Sequence, residues 1–64
     1  MENRYVVVNI EEDEESRVFR NLRELSGNIK EMYLIERSHM YYHRKLNEKK
    51  TLYLEKLIIL KINL

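Results

Sequence analysis

Three side chains that can bind a metal ion follow one another at helical spacing near the middle of this 64-residue chain. Glu36, His39 and His43 lie three and four positions apart, which places them on one face if the segment is a helix. Carboxylate and imidazole groups bind zinc and other divalent ions. However, no glutamate directly follows the first histidine, as it does in a metalloprotease helix. We therefore predict no metal site here, with His39 packed beside Tyr42 and the other two side chains in solvent.

Catalytic chemistry of other kinds finds no support in the residue types. The chain has no cysteine, and its three serines, Ser16, Ser26 and Ser38, occur in no nucleophile motif. A single glycine cannot form a glycine-rich phosphate-binding loop. We therefore predict a protein that is not an enzyme and that needs no cofactor. The lack of cysteine excludes disulfides and favours a cytoplasmic location.

A second group of residues could bind an anion. Asn28 precedes apolar residues at helical spacing, and Glu31 three positions later completes a capping box, so Asn28 is predicted to begin a helix. The backbone N–H groups at such a start are unpaired and carry partial positive charge, and Lys30 adds a cation. Asn28 to Lys30 therefore form a candidate phosphate site. An ordinary exposed lysine in a first helical turn would give the same pattern.

The segment Arg4–Ile10 is predicted to be a strand, because it is rich in β-branched and aromatic residues. Side chains alternate along a strand, so it has two faces, formed by Val6, Val8 and Ile10 and by Tyr5, Val7 and Asn9. The first face is the more apolar and is expected to be buried. The backbone groups of one strand need a partner, which is a strand of this chain or of a second copy.

Two helices are predicted to follow, separated by the only glycine. The first covers residues 13–25, with Asp13 as its N-cap, and Gly27 is typical of the residue just past a helix end. Asn28 then begins the second helix, which extends to about Leu46. The apolar faces of the two helices are expected to supply part of a dimer core, formed by Leu22, Leu25, Ile29, Met32 and Ile35.

The tail Thr51–Leu64 fits both a helix and a strand. Its apolar residues recur at alternate positions, and others recur at spacings of three and four. Five leucines favour a helix, because leucine has a high helix propensity. As a strand, the tail could pair with Arg4–Ile10 inside one chain, which would weaken the case for a dimer.

Charge is distributed unevenly in this chain of net charge +1. Residues 1–16 hold six acidic residues and one basic residue, whereas residues 17–64 hold 11 basic and five acidic residues. Such a basic body favours polyanionic partners, although ordinary solvated helix faces have the same composition. No segment is long and apolar enough to span a bilayer, and we expect no membrane partner. A domain of this length buries only about 60% of its surface, so a homodimer is expected.

The order of strand, helix, glycine-containing turn and helix resembles that of the ribbon-helix-helix DNA-binding regulators of plasmid copy number. The resemblance rests on Gly27–Glu31 and Tyr42–Leu46 and covers roughly residues 4–46. It implies one N-terminal strand and two helices and leaves the tail unaccounted for. With the tail added as a helix or a strand, we predict a single helix-dominated α+β domain over residues 1–64. In that family two chains pair their N-terminal strands into a ribbon that enters the major groove, and the start of the second helix grips a phosphate.

The resemblance implies a small, dimeric, sequence-specific transcriptional regulator that binds double-stranded DNA. The DNA-binding residues would be Asn3, Tyr5, Val7, Asn9, Asn28 and Lys30. Asparagine can read adenine, and Val7 can contact a thymine methyl group. The ribbon would bury Val6, Val8 and Ile10 in the dimer core. The alternative is a small helical interaction or inhibitor protein with an unidentified protein partner and no nucleic-acid role.

Overall fold

The computed structural model describes residues 2–11 and 16–63. Their secondary-structure elements are β1 (Asn3–Asn9), β2 (Ser16–Phe19), α1 (Leu22–Tyr33), α2 (His39–Lys49), β3 (Thr51–Leu54) and β4 (Leu57–Asn63). The strands form one antiparallel sheet in the order β2-β1-β4-β3. Both helices pack on the same face of this sheet, because buried residues of α1 and α2 share one core with alternate residues of β1 and β4. The fold is therefore a two-layer α+β arrangement.

The prediction of one N-terminal strand followed by two helices is wrong, because the described residues form two strands, then two helices, then two more strands. Strand β1 pairs with β2 on one edge and with β4 on the other. A strand whose two edges are both paired has no free backbone groups with which to extend a sheet into another chain. The shared ribbon of a ribbon-helix-helix dimer is therefore incompatible with this fold.

The tail forms the hairpin of β3 and β4 rather than a helix. Strand β4 pairs with β1 from Asn9 opposite Leu57 to Asn3 opposite Asn63, which is the intrachain pairing that a strand-like tail allows. The hairpin turn contains Glu55 and Lys56, and Glu55 has a φ of 54°. Tight two-residue turns need such positive φ values. Pairing with β1 on one side and β3 on the other outweighs the helix propensity of the leucines.

The predicted helix over residues 13–25 is also wrong where the structure describes it. Ser16–Phe19 is strand β2, paired with β1, and Asp13 lies outside the described residues. The first helix begins later, with Asn21 as its N-cap, because the Asn21 side-chain oxygen accepts a 2.9 Å hydrogen bond from the backbone N–H of Glu24. Asparagine is among the favoured residues for this role.

Gly27 does not end a helix, and Asn28 does not begin one, because both residues lie inside α1. The predicted second helix from Ile29 to Leu46 is interrupted instead at residues 34–38. Its second part begins anew at Ser38, whose hydroxyl accepts a 3.3 Å hydrogen bond from the backbone N–H of Tyr41. Neither helix in the described part of the chain is long and apolar enough to cross a membrane.

Both helices end at residues in the left-handed conformation that are not glycine. Leu34 has a φ of 57° and Lys50 a φ of 60°. Their backbone N–H groups donate to the carbonyls of Lys30 and Leu46 at 3.1 and 2.9 Å, which is the usual closure of a left-handed helix end. Glycine is the usual residue at such an end, because other side chains are strained in this conformation. Without a glycine at either position, the sequence does not indicate where these helices end.

The core lies between the helices and one face of the sheet, and that face is the one expected to be exposed. Tyr5, Val7 and Asn9 are only 8%, 3% and 4% exposed, whereas Val6 and Val8 are half-buried on the opposite face. The Asn9 side-chain oxygen accepts a 3.0 Å hydrogen bond from the backbone N–H of Glu11, which compensates for its burial. The position of the helices therefore decides which face is buried, and not the apolarity of the strand alone.

We expect the substitution Gly27→Ala to stabilise the protein by about 0.5–1 kcal/mol. Gly27 lies inside α1 without a positive φ, and a Cβ atom added to it meets, apart from its chain neighbours and the nearby helix backbone, no described atom within 4 Å. The substitution therefore adds helix propensity without a steric cost. Urea unfolding should show a higher midpoint with an unchanged slope.

The matched variant is Leu34→Gly, which should also stabilise the protein because Leu34 has the left-handed backbone that glycine prefers. A loss of stability in Gly27→Ala would show instead that Gly27 has a left-handed backbone, as expected of a hinge between helices.

Candidate functional site

The face of the sheet opposite the helices, called here the open face, carries apolar side chains from all four strands. In the sheet register, Val6 lies between Val18 and Leu60. Opposed residues of neighbouring strands point to the same side. By this rule the strand residues of the open face are Arg4, Val6, Val8, Ser16, Val18, Thr51, Tyr53, Ile58, Leu60 and Ile62. Neither α1 nor α2 packs on this side, since the core that they form contains strand residues of the other parity.

Several apolar side chains of the open face are strongly exposed to solvent. The exposed fraction is 62% for Val18, 71% for Tyr53 and 40% for Ile62, and Ile10, just after β1, is 49% exposed. The residues at the centre of the face, Val6, Val8, Ile58 and Leu60, are half-buried. Single exposed apolar residues are common, whereas a contiguous exposed patch marks an interaction surface.

The polar groups of the open face lie at its margins. Arg4 is the one charged side chain among the strand residues of this face that the structure describes, and it forms a 2.8 Å ion pair with Glu2. Ser16 and Thr51 begin the two edge strands, β2 and β3. An apolar centre with a polar margin is the usual composition of a protein–protein interface.

The structure separates the residues predicted to form the dimer core. Val6 and Val8 belong to the open face, and Ile10 follows it. The other predicted residues belong to the helices and their connection. Leu25, Ile29 and Ile35 are buried inside the chain, Leu22 packs at the edge of that core, and Met32 is 40% exposed. For the β4 residues of the open face, Ile58, Leu60 and Ile62, the sequence signal was the alternation of apolar residues in the tail.

The predicted DNA-binding residues of the strand are not presented together to solvent. Tyr5 and Val7 are buried in the core shared with the helices, Asn9 is buried on the same face of the sheet, and Asn3 is exposed at the start of β1. Base reading by a β-ribbon needs side chains that project from an uncovered strand. These positions do not provide one in this fold.

The predicted phosphate site at Asn28 and Lys30 is not a helix start. Both residues are in the interior of α1, where backbone N–H groups are used by the helix itself. The Lys30 ammonium lies 3.0 Å from the Glu36 carboxylate. The Asn28 side-chain oxygen is buried and has no hydrogen-bond partner among the described residues.

Glu36, His39 and His43 do not assemble into a metal site. Glu36 pairs with Lys30, and the Nε2 atom of His43 lies 3.3 Å from the side-chain nitrogen of Asn47. Within residues 2–11 and 16–63, no three histidine, cysteine, aspartate or glutamate residues are grouped so that they could hold a metal ion.

A second surface, called here the basic cleft, lies where β1 and both helices begin. The cleft has a volume of about 820 Å³ and is lined by Glu2, Asn3, Arg4, Tyr5, Arg20, Asn21, Leu22, Arg23 and His39. Arg20 and Arg23 are exposed, and His39 is half-buried. Sequence reasoning missed this cleft because it placed residues 20–23 inside a helix. The available signal was the pair of arginines on either side of the helix-capping Asn21.

Comparisons of this chain with protein-family models, with curated proteins and with solved structures give no match. No relative therefore supplies an activity or a set of site residues. The open face and the basic cleft are the two surfaces from which a function can be inferred.

Proposed function

We propose that this protein is a small interaction module that binds a second copy of itself through the open face. The observation that carries the proposal is the apolar surface to which all four strands contribute and which α1 and α2 leave uncovered. In the homodimer two sheets face each other, with a pair of helices on each outer side. Two sheets pack in this way at a separation of about 10 Å, with the side chains of the facing surfaces interdigitated.

A second copy is favoured over a different protein by the chemistry of the open face. A two-fold interface brings the same patch of both subunits together, so the patch must be complementary to itself. Apolar side chains meet this condition, whereas a surface with many charges of one sign does not. Among the described strand residues of this face only Arg4 is charged, and its charge is paired with Glu2.

The size of the domain also favours association. A chain of 64 residues without cysteine has no disulfide to compensate for a small core. Covering the open face adds a second apolar layer on the other side of the sheet, as is usual for a sheet that is apolar on both faces.

The dimensions of the open face predict a weak dimer. The four strands hold 22 residues, and a spacing of about 4.8 Å between strands with a rise of about 3.3 Å per residue gives a face of roughly 350 Å² on each copy. Specific stable interfaces bury about 800 Å² per partner. We therefore expect association in the micromolar concentration range.

Replacing two exposed apolar residues of the open face with lysine should abolish the dimer. In Val18→Lys/Ile62→Lys, both replaced side chains are already exposed in a single copy, so the new charges stay hydrated unless a second copy covers them. Sedimentation equilibrium from about 5 to 500 μM should show a monomer–dimer equilibrium for the parent and a monomer for this variant. Circular dichroism should show the same fold in both proteins.

The matched control is Leu34→Lys/Met40→Lys. These side chains are 87% and 54% exposed and belong to the helical layer. The control adds the same charge and removes similar apolar surface, and it should dimerise like the parent. A parent that stays monomeric at about 500 μM, or an open-face variant that dimerises as the control does, would contradict the proposal.

A further inference from the structure

We infer that the basic cleft binds the phosphodiester backbone of a nucleic acid. This binding goes beyond self-association and depends chiefly on Arg20 and Arg23, which lie outside the open face, whereas Arg4 borders both surfaces. The cleft opens at one end of the sheet, and its margins consist of exposed residues, among them Asn3 and Asn21.

Arg20 and Arg23 supply the cationic groups. Neither side chain has a hydrogen bond or an ion pair with any other described residue. Arg20 directly follows β2, and Arg23 lies in the first turn of α1, so both line the same cleft. A guanidinium group binds phosphate through parallel hydrogen bonds and keeps its charge at every relevant pH. Two such groups lining one cleft can contact different phosphates of one polymer.

The surrounding charges have a positive balance. Arg4 adds a third guanidinium group, and Glu2, which is paired with it, removes one unit of charge. Outside the cleft lining, Glu24 adds one negative charge in the first turn of α1. Both helices begin here, and the positive ends of their dipoles favour anions. Because Asn21 and Ser38 already cap these helices, the arginines are the main phosphate ligands.

Polar and cationic groups continue from the cleft along α2. His39 lines the cleft, and His43, four residues later, lies on the same side of the helix. Asn47 contacts His43 and accepts a 2.9 Å hydrogen bond from the Lys61 ammonium. A line of such groups leads from the arginines to Lys61. An open surface of this length fits a chain of phosphates better than one enclosed phosphate group.

The described acidic residue Glu11 lies away from the cleft. It follows β1 at the opposite end of that strand, where its carboxylate is 4.0 Å from the Lys56 ammonium. In the register of β1 and β2, Ser16 is opposite Val8, whereas Phe19, next to the cleft residue Arg20, is opposite Tyr5. The Glu11 carboxylate therefore lies at the other end of β1 from the cleft.

The inference is tested by fluorescence anisotropy with labelled probes of about 20 nucleotides, which are a DNA duplex, a DNA single strand and an RNA single strand. The test variant is Arg20→Gln/Arg23→Gln, and the matched control is Lys49→Gln/Lys56→Gln. Both variants lose two positive charges at exposed positions, but only the first alters the cleft. Titrations at about 50 and 200 mM salt give the affinity and its salt dependence.

We expect the cleft variant to bind at least about tenfold more weakly than the parent at the lower salt concentration, and the control less than about threefold more weakly. The slope of log K against log salt should become shallower by about two for the cleft variant, because each lost phosphate contact removes about 0.9 from it. The probe that shows this selective loss identifies the form of nucleic acid. The inference is overturned if the parent binds none of the probes at the lower salt concentration, or if both variants lose affinity equally.

Discussion

Ile59→Thr is expected to destabilise the protein by about 3 kcal/mol, and the neighbouring substitution Ile58→Thr by less than about 1 kcal/mol. Ile59 is fully buried beneath the helices, whereas Ile58 is half-buried on the open face. Threonine keeps the branched Cβ atom that suits a strand, so the two variants differ in what surrounds the side chain. At position 59 the hydroxyl is buried and apolar contacts are lost. At position 58 the hydroxyl reaches solvent.

Urea unfolding at about 1 μM protein measures this difference with little contribution from a dimer. The same pair then separates folding from association, because Ile58→Thr should weaken the dimer at higher concentration while leaving the fold intact. Equal losses of stability at low concentration would show that the open face is covered within a single folded chain.

The second large effect is expected for Tyr42→Phe, which should stabilise the protein by about 1–2 kcal/mol at neutral pH. Tyr42 is fully buried, and its hydroxyl has no hydrogen-bond partner among the described residues. Its ring packs edge to face against that of Tyr41, with the centroids 5.5 Å apart. Phenylalanine keeps this ring packing and removes the unpaired hydroxyl.

The same substitution should change the response to alkaline pH. Burial raises the pKa of Tyr42 above its ordinary value of 10.0, against a smaller lowering effect of Arg37. The unfolded chain therefore loses this proton first, and the contribution of Tyr42 to stability is present below pH 10 and decreases as pH rises beyond it. The free energy of unfolding therefore falls by at most about 1.4 kcal/mol per pH unit through this group. This dependence should be absent from Tyr42→Phe.

The control for the tyrosine experiment is Tyr53→Phe, because Tyr53 is 71% exposed and lies on the open face. Unfolding of the three proteins at pH values of about 8 and 10.5 gives the comparison. Tyr53→Phe should follow the parent at both values. If Tyr42→Phe is less stable than the parent at the lower pH, the hydroxyl has a hydrogen-bond partner in solution.

The strand signals of the sequence correspond to real strands at both ends of the described chain. Alternation with β-branched residues predicts β1 to within one residue at each end, and alternation in the tail identifies β4 as one of two readings. Period-two patterns are readable because they follow directly from the pleat of a strand. They do not indicate which face will be covered. In β1 that depends on α1 and α2, which cover Tyr5 and Val7 rather than the more uniformly apolar alternate face.

The helix boundaries could not be predicted because the usual signals lie at misleading positions. The only glycine is inside α1, and the true ends at Leu34 and Lys50 have a left-handed backbone without glycine. The basic cleft could not be predicted either, because its residues come together only in the folded chain. Arg4 and Arg23 are distant in sequence and share the cleft only because β1 and the start of α1 meet at one end of the sheet.

Pairing of β1 with β4 has a consequence for the folding rate. These neighbours at the centre of the sheet are the strands farthest apart along the chain, with Asn3 opposite Asn63. Closing so long a loop costs conformational entropy before the strand contacts form, and such non-local topologies fold more slowly than helical bundles of similar size. The β3–β4 hairpin and the two helices can form from local contacts. Arrival of β1 between β2 and β4 then assembles the sheet, and we expect this late step to limit the rate of folding.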